Sequence, residues 1–340
     1  MEISTDAVRR SVSNVSETRL LRTPAAGVPI ELAILEKLPV WRDVGLPPLL
    51  LLHGATFGAR LFDLPRPGYS LMTQLASRGR PVYALDVRGF GSSLGGRAMD
   101  DAPDRNPPVA RVDEAIDDVA AAVDLILNRQ QVARLDVLGF SWGAVLASRF
   151  AGCWPGKIMR LGLYAPLYAD IQSTWLDRTV TTPTLGAYRL VSLADLVNRW
   201  NGDLPEGDPR LYRDDDIPEL LFGAIARLDP RASSHMPPAF RCPNGPLADL
   251  GEIRGGRPLF DPGRLTRPTL IVRGADDTTS TDAGAVRLLA QIAAPDKQYC
   301  VVAPGSHFLC VEKNREKLYD HLNAFFAPLD GSAMRDLKLP

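Results

Sequence analysis

Histidine and cysteine are scarce in this chain, with four residues of each among 340. No cysteine stands in a C-x-x-C spacing or next to histidines at ligand spacing, so we expect neither a zinc site nor another metal. The thiols are expected to be reduced and idle: Cys153, Cys242, Cys300 and Cys310. The scarcity of histidine also leaves few choices for a general base.

An excess of charge and a long apolar run are also missing. The 39 basic residues balance the 40 acidic ones, which argues against nucleic acid or an anionic membrane as a partner. No stretch reaches the roughly 18 apolar residues of a membrane span. No apolar run follows Arg9 and Arg10, so we do not expect a secretory signal in the N-terminal residues. We therefore expect a cytoplasmic protein, monomeric or a homo-oligomer.

Apolar runs and amphipathic stretches alternate along most of the chain. This order predicts a mostly parallel sheet flanked by helices on both faces. Eight strands are predicted, at 20–23, 30–35, 49–52, 82–85, 135–138, 159–164, 270–273 and 298–302. The helices are predicted at 70–77, 112–127, 142–150, 282–292 and 314–326.

The alternation stops between residues 170 and 265. Helical patches near 190–200 and 218–228 precede a proline-rich stretch, so we interpret 170–265 as a helical lid inserted into an α/β core. Such cores often run about 200–250 residues, which leaves room for an insertion in a chain of 340. The predicted core is 18–169 and 266–328, between a leader at 1–17 and a tail at 329–340.

The pentapeptide from Gly139 to Gly143 has the pattern G-x-S-x-G between a predicted strand and a predicted helix. In this context the serine lies on a sharp, strained turn that exposes its hydroxyl above the sheet edge. The helix N-terminus behind it offers N–H groups to a developing negative charge. Ser141 is therefore the candidate nucleophile, the alternative being a tight turn with an inert serine.

A serine hydroxyl needs a base beside it. His307 follows Pro304-Gly305-Ser306 after the last strand, at the carboxyl edge of the sheet where catalytic groups gather, and is the favoured base. His53, directly after a buried strand, is interpreted as a structural residue of its loop. His321 is expected on the surface of the final helix, and His235 in a polar loop of the insertion.

A carboxylate is needed to hold the tautomer of the base. Asp276 and Asp277 follow the strand that ends in Gly274, and a turn there points only one of them at the histidine. We favour Asp277, with Asp276 second and Asp170 third. The order Ser141, Asp277, His307 is the order found in α/β hydrolases.

These motifs resemble the α/β-hydrolase superfamily, in its lidded serine esterase-like branch. The matching pieces span about residues 50–310: Leu51 to Gly54, Asp86 to Ser93, Gly139 to Gly143, Gly274 to Asp277 and Gly305 to His307. The resemblance implies the fold, the triad and an oxyanion hole made by the backbone N–H groups of Ala55 and Trp142. It also implies that Asp86 and Arg88 brace a turn.

One departure from the family pattern concerns the pocket. Many relatives carry a bulky aromatic residue directly after His-Gly, whereas this chain has Ala55 and Thr56. Residues that flank the motifs, and Trp175 of the insertion, are candidates for an acyl pocket, with core packing as the alternative: Thr56, Phe57, Phe140, Trp175 and Phe308. Further apolar residues of the insertion point to an apolar substrate or to a small core of their own: Trp200, Phe222, Met236 and Phe260.

The expected function is a serine hydrolase that cleaves a carboxylic ester, lactone or related small acyl substrate through an acyl-enzyme, without a cofactor. The motif pattern is also similar to proline iminopeptidases, cofactor-free haloperoxidases and carbon–carbon hydrolases. Carbon–carbon cleavage, acyl transfer and perhydrolysis with the same triad are therefore alternatives. A ligand receptor without turnover is the alternative from another class, which an intact triad argues against.

Overall fold

The computed structural model describes residues 12–22, 29–93, 95–168, 185–205 and 207–328. The main sheet has eight strands: β1 (Ser16–Arg22), β2 (Ile30–Lys37), β3 (Leu49–Leu52), β4 (Val82–Asp86), β5 (Leu135–Phe140), β6 (Ile158–Tyr164), β9 (Thr269–Gly274) and β10 (Lys297–Val302). Two more strands, β7 (Tyr188–Ser192) and β8 (Ala239–Pro243), form a separate ribbon. All eight predicted strands exist, with small shifts of their ends.

The main sheet runs in the order β1-β2-β4-β3-β5-β6-β9-β10. The pairs β1–β2 and β2–β4 are antiparallel, and the other neighbours are parallel. All four leucines of β3 are buried at the centre of the sheet, as their unbroken apolar run predicts. This confirms the predicted fold class and places the carboxyl ends of β3, β5, β6, β9 and β10 along one edge.

The described residues form eight α-helices: α1 (Leu71–Ala76), α2 (Val112–Gln130), α3 (Trp142–Cys153), α4 (Leu193–Asn201), α5 (Ile217–Ala226), α6 (Gly245–Arg254), α7 (Asp282–Gln291) and α8 (Arg315–Phe325). Helix α2 buries the apolar positions that recur at helical spacing, including Val112, Ile116 and Val119, and exposes its acidic residues Asp113 and Glu114 in the first turn. Helices α2 and α3 contact each other, as do α1 and α8.

Of the residues between β6 and β9 that the structure describes, 185–205 and 207–265 are called the connecting segment below. It contains α4, α5, α6 and the antiparallel pair β7–β8. The predicted helix at 190–200 is therefore wrong at its start, because 188–192 is strand and Ser192 caps α4 in a capping box with Asp195. The proline-rich stretch also holds β8 and α6, so the segment is mixed rather than only helical.

Candidate active site

Ser141 lies on the turn between the end of β5 and the start of α3. Its backbone has φ 57° and ψ −119°, a conformation that residues other than glycine rarely adopt. The strand holds the turn in place, since the Ser141 N–H donates to the Tyr164 carbonyl of β6 at 2.9 Å. The hydroxyl therefore projects from a strained elbow at the carboxyl edge of the sheet.

The two glycines of the motif allow the chain to pack closely around this elbow. A Cβ on Gly143 would lie 2.2 Å from the Leu52 carbonyl oxygen, and one on Gly139 would lie 2.3 Å from the Gly143 carbonyl oxygen. Real Cβ atoms do not approach backbone this closely. The G-x-S-x-G pattern thus follows from the close contact between β3, β5 and α3.

The structure brings Ser141, His307 and Asp277 together. The Nε2 atom of His307 lies 2.9 Å from Ser141 Oγ, and its Nδ1 atom lies 2.8 Å from Asp277 Oδ2. All three residues are buried, with 3–5% of their surface exposed. With His307 neutral and protonated on Nδ1, the imidazole donates to the carboxylate and accepts from the hydroxyl.

The adjacent acids point in different directions. Asp277 Oδ1 accepts from the N–H groups of Thr279 and Ser280, both at 2.8 Å, which leaves Oδ2 for His307. Asp276 instead accepts at Oδ2 from the Tyr212 hydroxyl at 2.9 Å and from the Gly305 N–H at 3.1 Å. The favoured acid, rather than its neighbour, therefore contacts the imidazole. Asp170 lies outside the described residues.

The other histidines lie apart from this cluster. His53 is fully buried, and burial lowers its pKa to about 4, so the imidazole is neutral near pH 7. It lies 2.8 Å from the Gly54 carbonyl oxygen through Nδ1, and its Nε2 accepts from the Val87 N–H at 3.1 Å. His53 thus joins two loops. His321 is exposed on α8, and His235 is half-buried in the connecting segment.

Ala55 and Trp142 are the residues whose backbone N–H groups are predicted to form the oxyanion hole. Trp142 is the first residue of α3, so its N–H has no carbonyl partner within the helix. The Gly54 carbonyl oxygen faces His53, and in a trans peptide the N–H of Ala55 points to the opposite side. Ala55 itself lines the cavity beside Ser141. That these two N–H groups bind an oxyanion stays a prediction.

The loop that carries Ala55 is also fixed from the connecting segment. Arg189 of β7 donates from Nη2 to the Ala55 carbonyl and to Thr56 Oγ1, both at 3.1 Å. Its Nη1 donates to the Pro243 carbonyl of β8 at 3.0 Å. The Thr56 hydroxyl oxygen is thus an acceptor for Arg189.

The turn at Ser141 has a similar link to the connecting segment. The indole N–H of Trp142 donates to Asp249 Oδ2 of α6 at 3.0 Å, and the Val112 N–H donates to the same oxygen at 2.8 Å. Arg111 donates to Asp249 Oδ1 at 2.6 Å. Burial raises the pKa of Asp249 to about 6, against the lowering effect of these donors.

A small cavity of about 30 Å³ lies beside Ser141 and His307. A space of this size holds about one or two water molecules. Four predicted pocket residues line it, namely Thr56, Phe57, Phe140 and Phe308. Trp175 lies outside the described residues. Of the other apolar candidates, Trp200 and Phe260 are buried and Met236 is 93% exposed.

Sequence reasoning missed three residues that line this cavity: Arg199, Leu250 and Thr279. Arg199 is paired with Asp203 four residues later, and in a sequence this spacing is typical of a solvated ion pair on a helix surface. The side chains of the pair are only 11% and 2% exposed. The sequence offers no signal that this face of α4 is buried against the site.

Asp86 and Arg88 are the residues that the family resemblance predicts to stabilise a turn. Asp86 contacts backbone N–H groups, and Arg88 pairs with another acidic residue. Asp86 accepts from the Ala59 N–H at 2.6 Å and from the Ser92 N–H at 3.0 Å, and burial raises its pKa to about 6. Arg88 pairs with buried Asp118 at 2.7 Å. Neither lines the cavity beside Ser141, as far as the described residues reach.

The described part of the chain contains no group of three or more histidine, cysteine, aspartate or glutamate side chains arranged to hold a metal ion. All four cysteines are unpaired, and burial raises the pKa of Cys242 to about 11 and that of Cys310 to about 12. Within the same residues, no helix is long and apolar enough to cross a bilayer.

Solved structures with the same fold include several hydrolases. A bromoperoxidase from Bacillus anthracis matches with a TM-score of 0.62 at 16% identity, over 91% of this chain and 99% of its own. The 2-hydroxy-6-oxo-6-phenylhexa-2,4-dienoate hydrolase of Rhodococcus sp. strain RHA1 matches with a TM-score of 0.59 at 16% identity, over 92% of this chain and 99% of its own. A thermophilic esterase from Thermogutta terrifontis matches with a TM-score of 0.58 at 20% identity, over 91% of this chain and 97% of its own. At such identities these likenesses concern the fold alone.

A comparison with family sequence patterns covers most of the chain. The pattern of the alpha/beta hydrolase family matches residues 49–320, from β3 into α8. This range contains the elbow at Ser141, the loop of Asp277 and the loop of His307. The chain therefore belongs to the alpha/beta hydrolase family, as its motifs predict.

Proposed function

We propose that this protein is a serine hydrolase that cleaves a carboxylic ester, a lactone or a related acyl substrate. The observation that carries the proposal is the hydrogen-bonded series from Ser141 through His307 to Asp277, with distances of 2.9 Å and 2.8 Å. It unites a nucleophile, a base and a group that orients the base, which is the set that acyl transfer requires. Membership of a hydrolase family supports the same conclusion.

In the proposed acylation step, Ser141 Oγ attacks the acyl carbonyl carbon while His307 Nε2 takes the hydroxyl proton. The carbonyl oxygen becomes an oxyanion, which the N–H groups of Ala55 and Trp142 stabilise; such a donor contributes about 2.7–4 kcal/mol. Collapse of the tetrahedral intermediate breaks the bond to the leaving group, which receives the proton from His307. Asp277 stabilises the imidazolium that forms between these two transfers.

Deacylation repeats the same transfers with water as the nucleophile. His307 Nε2 takes a proton from water, the hydroxide adds to the ester carbonyl of the acyl-enzyme, and the proton returns to Ser141 Oγ as the acid departs. No group beyond the described residues and water is needed to balance the reaction. The proposal therefore requires no cofactor.

The cavity favours a short acyl group. The space of about 30 Å³ beside Ser141 leaves no room for a long acyl chain, and the walls include the apolar side chains of Phe57, Phe140, Phe308 and Leu250. A longer acyl chain requires the connecting segment to move, because Leu250 belongs to α6 and Arg199 to α4. We propose that this segment acts as the lid and sets the substrate range.

The test compares esters of p-nitrophenol with two to eight acyl carbons on the purified protein. We expect turnover that is fastest for the acetate, and a drop of about 10⁴-fold or more in kcat for Ser141→Ala. Ser148→Ala is the matched control, since Ser148 is also buried and lies on α3, the helix that follows Ser141. A fluorophosphonate probe is expected to label wild type and Ser148→Ala but not Ser141→Ala.

Turnover by Ser141→Ala at the wild-type rate would contradict the proposal. Absence of both turnover and labelling in wild type would favour the receptor without activity. Carbon–carbon cleavage, acyl transfer and perhydrolysis use the same site, and product analysis with vinylogous diketones, added alcohols or hydrogen peroxide separates them from ester hydrolysis.

A further inference from the structure

The end of helix α4 contacts the loop that carries Asp277. Asp203 Oδ1 accepts from the Thr278 hydroxyl at 2.5 Å, and Arg199 Nη2 donates to Thr279 Oγ1 at 2.7 Å. Arg199 and Asp203 also pair with each other. Because the Thr279 N–H holds Asp277 Oδ1, these contacts fix the residues that orient the acid.

The same end of α4 contacts the loop that carries His307. The indole N–H of Trp200 donates to Glu312 Oε1 at 2.9 Å, and Glu312 Oε2 accepts from the Ser306 N–H at 2.9 Å. The Trp200 ring also stacks on Phe308, with centroids 4.7 Å apart and planes 22° from parallel. Ser306 and Phe308 flank His307 in the sequence. Trp200 therefore contacts one neighbour of the base directly, through Phe308, and the other through Glu312.

Most of the groups that make these contacts are shielded from water, although Thr278 is exposed. Trp200 is fully buried, and Asp203 and Glu312 are 2% and 1% exposed. Hydrogen bonds in such surroundings are stronger than at a surface, and losing one partner leaves the other unsatisfied. Trp200, Arg199 and Asp203, which we call the α4 clamp, are therefore held rigidly against both loops.

We infer that the α4 clamp is a positioning device that keeps the acid and the base in register, with Trp200 and Asp203 as its positioning residues. The inference rests on the proposed function, because it assigns the clamp a role in proton transfer at that site. Neither residue touches the reacting atoms. Trp200 acts through Glu312 and Phe308 on His307, and Asp203 acts through Thr278 on the loop of Asp277.

The alternative is that the core alone aligns the two loops. It does hold them, since Asp276 Oδ2 accepts from the Gly305 N–H at 3.1 Å and Arg273 donates to the Asp277 carbonyl at 2.8 Å. These contacts lie on the sheet side of the loops, whereas the clamp holds them from the connecting segment. The clamp is dispensable in that case, and its removal affects stability without a specific effect on proton transfer.

The experiment removes single hydrogen bonds of the clamp. Trp200→Phe retains a ring to stack on Phe308 but deletes the donor to Glu312, and Asp203→Asn removes the charge that holds Arg199. Thr278→Val deletes one hydroxyl at an exposed position and guards against a folding failure of the buried variants. We expect kcat on p-nitrophenyl acetate to fall about 10-fold to 100-fold, with KM within about twofold of wild type.

Two matched controls test whether the effect is specific. Trp154→Phe makes the same change just beyond the C-terminal end of α3, a helix of 12 residues, which is about 18 Å from Ser141. Asp229→Asn breaks the ion pair with Arg241 within the connecting segment, at 2.7 Å, without touching either loop. Both controls are expected to keep the wild-type kcat.

A second readout does not depend on ester turnover. The proton between His307 Nδ1 and Asp277 gives an NMR signal of its own, which we expect to shift or broaden in the clamp variants and to stay in place in the controls. This signal decides the inference even if no ester is hydrolysed and the proposed function fails. Wild-type kcat together with an unchanged signal in all three clamp variants would overturn it, as would equal losses in the controls.

Discussion

The sheet core and the connecting segment contribute to the candidate site in different ways. The core carries the side chains of the hydrogen-bonded series, each in the connection that follows a strand: Ser141 after β5, Asp277 after β9 and His307 after β10. The described residues of the connecting segment add none of these three. They nevertheless contact the loop of Ala55, the loops that carry Asp277 and His307, and Trp142 beside Ser141, through Arg189, Asp203, Trp200 and Asp249 respectively.

The difference has a physical origin. Neighbouring strands of a parallel sheet lie about 4.8 Å apart, so the loops at their carboxyl ends are brought together by the ladder itself. The ladder ends where the loops begin, and the orientation of each side chain then depends on contacts beyond the sheet. We conclude that the core sets which groups meet, while polar contacts from the connecting segment set how they are aligned.

The largest expected effect on kcat concerns the core, where variants of the adjacent residues Asp277 and Asp276 are compared. Asp277→Asn is expected to lower kcat about 10⁴-fold, because the amide cannot hold the required tautomer of His307. Asp276→Asn changes a residue that contacts Tyr212 and Gly305 rather than the imidazole, and is expected to cost less than about 10-fold. Steady-state kinetics on p-nitrophenyl acetate distinguish the two, and equal losses would contradict the assignment of roles.

Close packing in the core can be broken at one glycine. Gly143→Ala is expected to lower the free energy of unfolding by about 3 kcal/mol, since the new Cβ would lie 2.2 Å from the Leu52 carbonyl oxygen. Urea denaturation measures the change. Gly152→Ala in the same helix is the control, because its Cβ would meet the nearest atom at 3.5 Å. There we expect unchanged or slightly raised stability, and equal losses at both sites would contradict the packing argument.

The connecting segment carries a pH-dependent contact at Asp249. Burial raises the pKa of this carboxyl to about 6 in the folded state, above its ordinary value near 3.8. The folded protein therefore binds a proton more readily than the unfolded chain, and this residue makes stability fall as pH rises from about 4 to about 6. Asp249→Asn should remove that component, about 1–3 kcal/mol, from unfolding curves measured across the interval.

A control of opposite sign exists in the same segment. Burial acts to raise the pKa of Asp229, but the hydrogen bonds from Arg241 and Arg231 together outweigh burial and lower it, so its contribution is present at neutral pH and lost as pH falls. Asp229→Asn should therefore weaken stability most at neutral pH. Parallel pH dependences of the two variants would contradict the assignment of both carboxyls.

The smallest expected effect is at the contact between β7 and the oxyanion loop. Arg189→Met removes two hydrogen bonds to Ala55 and Thr56 but keeps an apolar stem. We expect kcat to fall about 5-fold, equivalent to about 1 kcal/mol of transition-state stabilisation. Arg231→Met, which removes an exposed contact to the Asp100 carbonyl, is the control. An unchanged kcat at position 189 would show that the core alone fixes this loop.

The core was predictable because its signals are local. The four leucines from Leu49 to Leu52 read directly as a buried strand, and the elbow around Ser141 is encoded by glycines at two close contacts. The sequence narrowed the acid mainly to Asp276 and Asp277, since a turn after a strand points only one of two adjacent side chains at the histidine. Local pattern and tertiary packing agree at each of these positions.

The connecting segment was less predictable because its signals are not local. Strand β7 pairs with β8 about fifty residues later, with Arg189 opposite Cys242, and no short-range pattern announces such pairing. The apolar spacing of 190–200 suggested one helix, and the capping box at Ser192 decided where it begins. Arg199 and Asp203 read as a surface pair because burial is a property of the assembled fold.

The anchoring of the connecting segment has a consequence for protein engineering. Replacing residues 185–265 by the corresponding piece of another hydrolase would bring a new pocket wall, but it would also remove the partners of Thr278, Glu312, Trp142 and Ala55. A chimera of this kind should be well folded and slow unless those four contacts are rebuilt with it. In this chain an exchange of the connecting segment therefore changes the substrate range and the turnover rate at the same time.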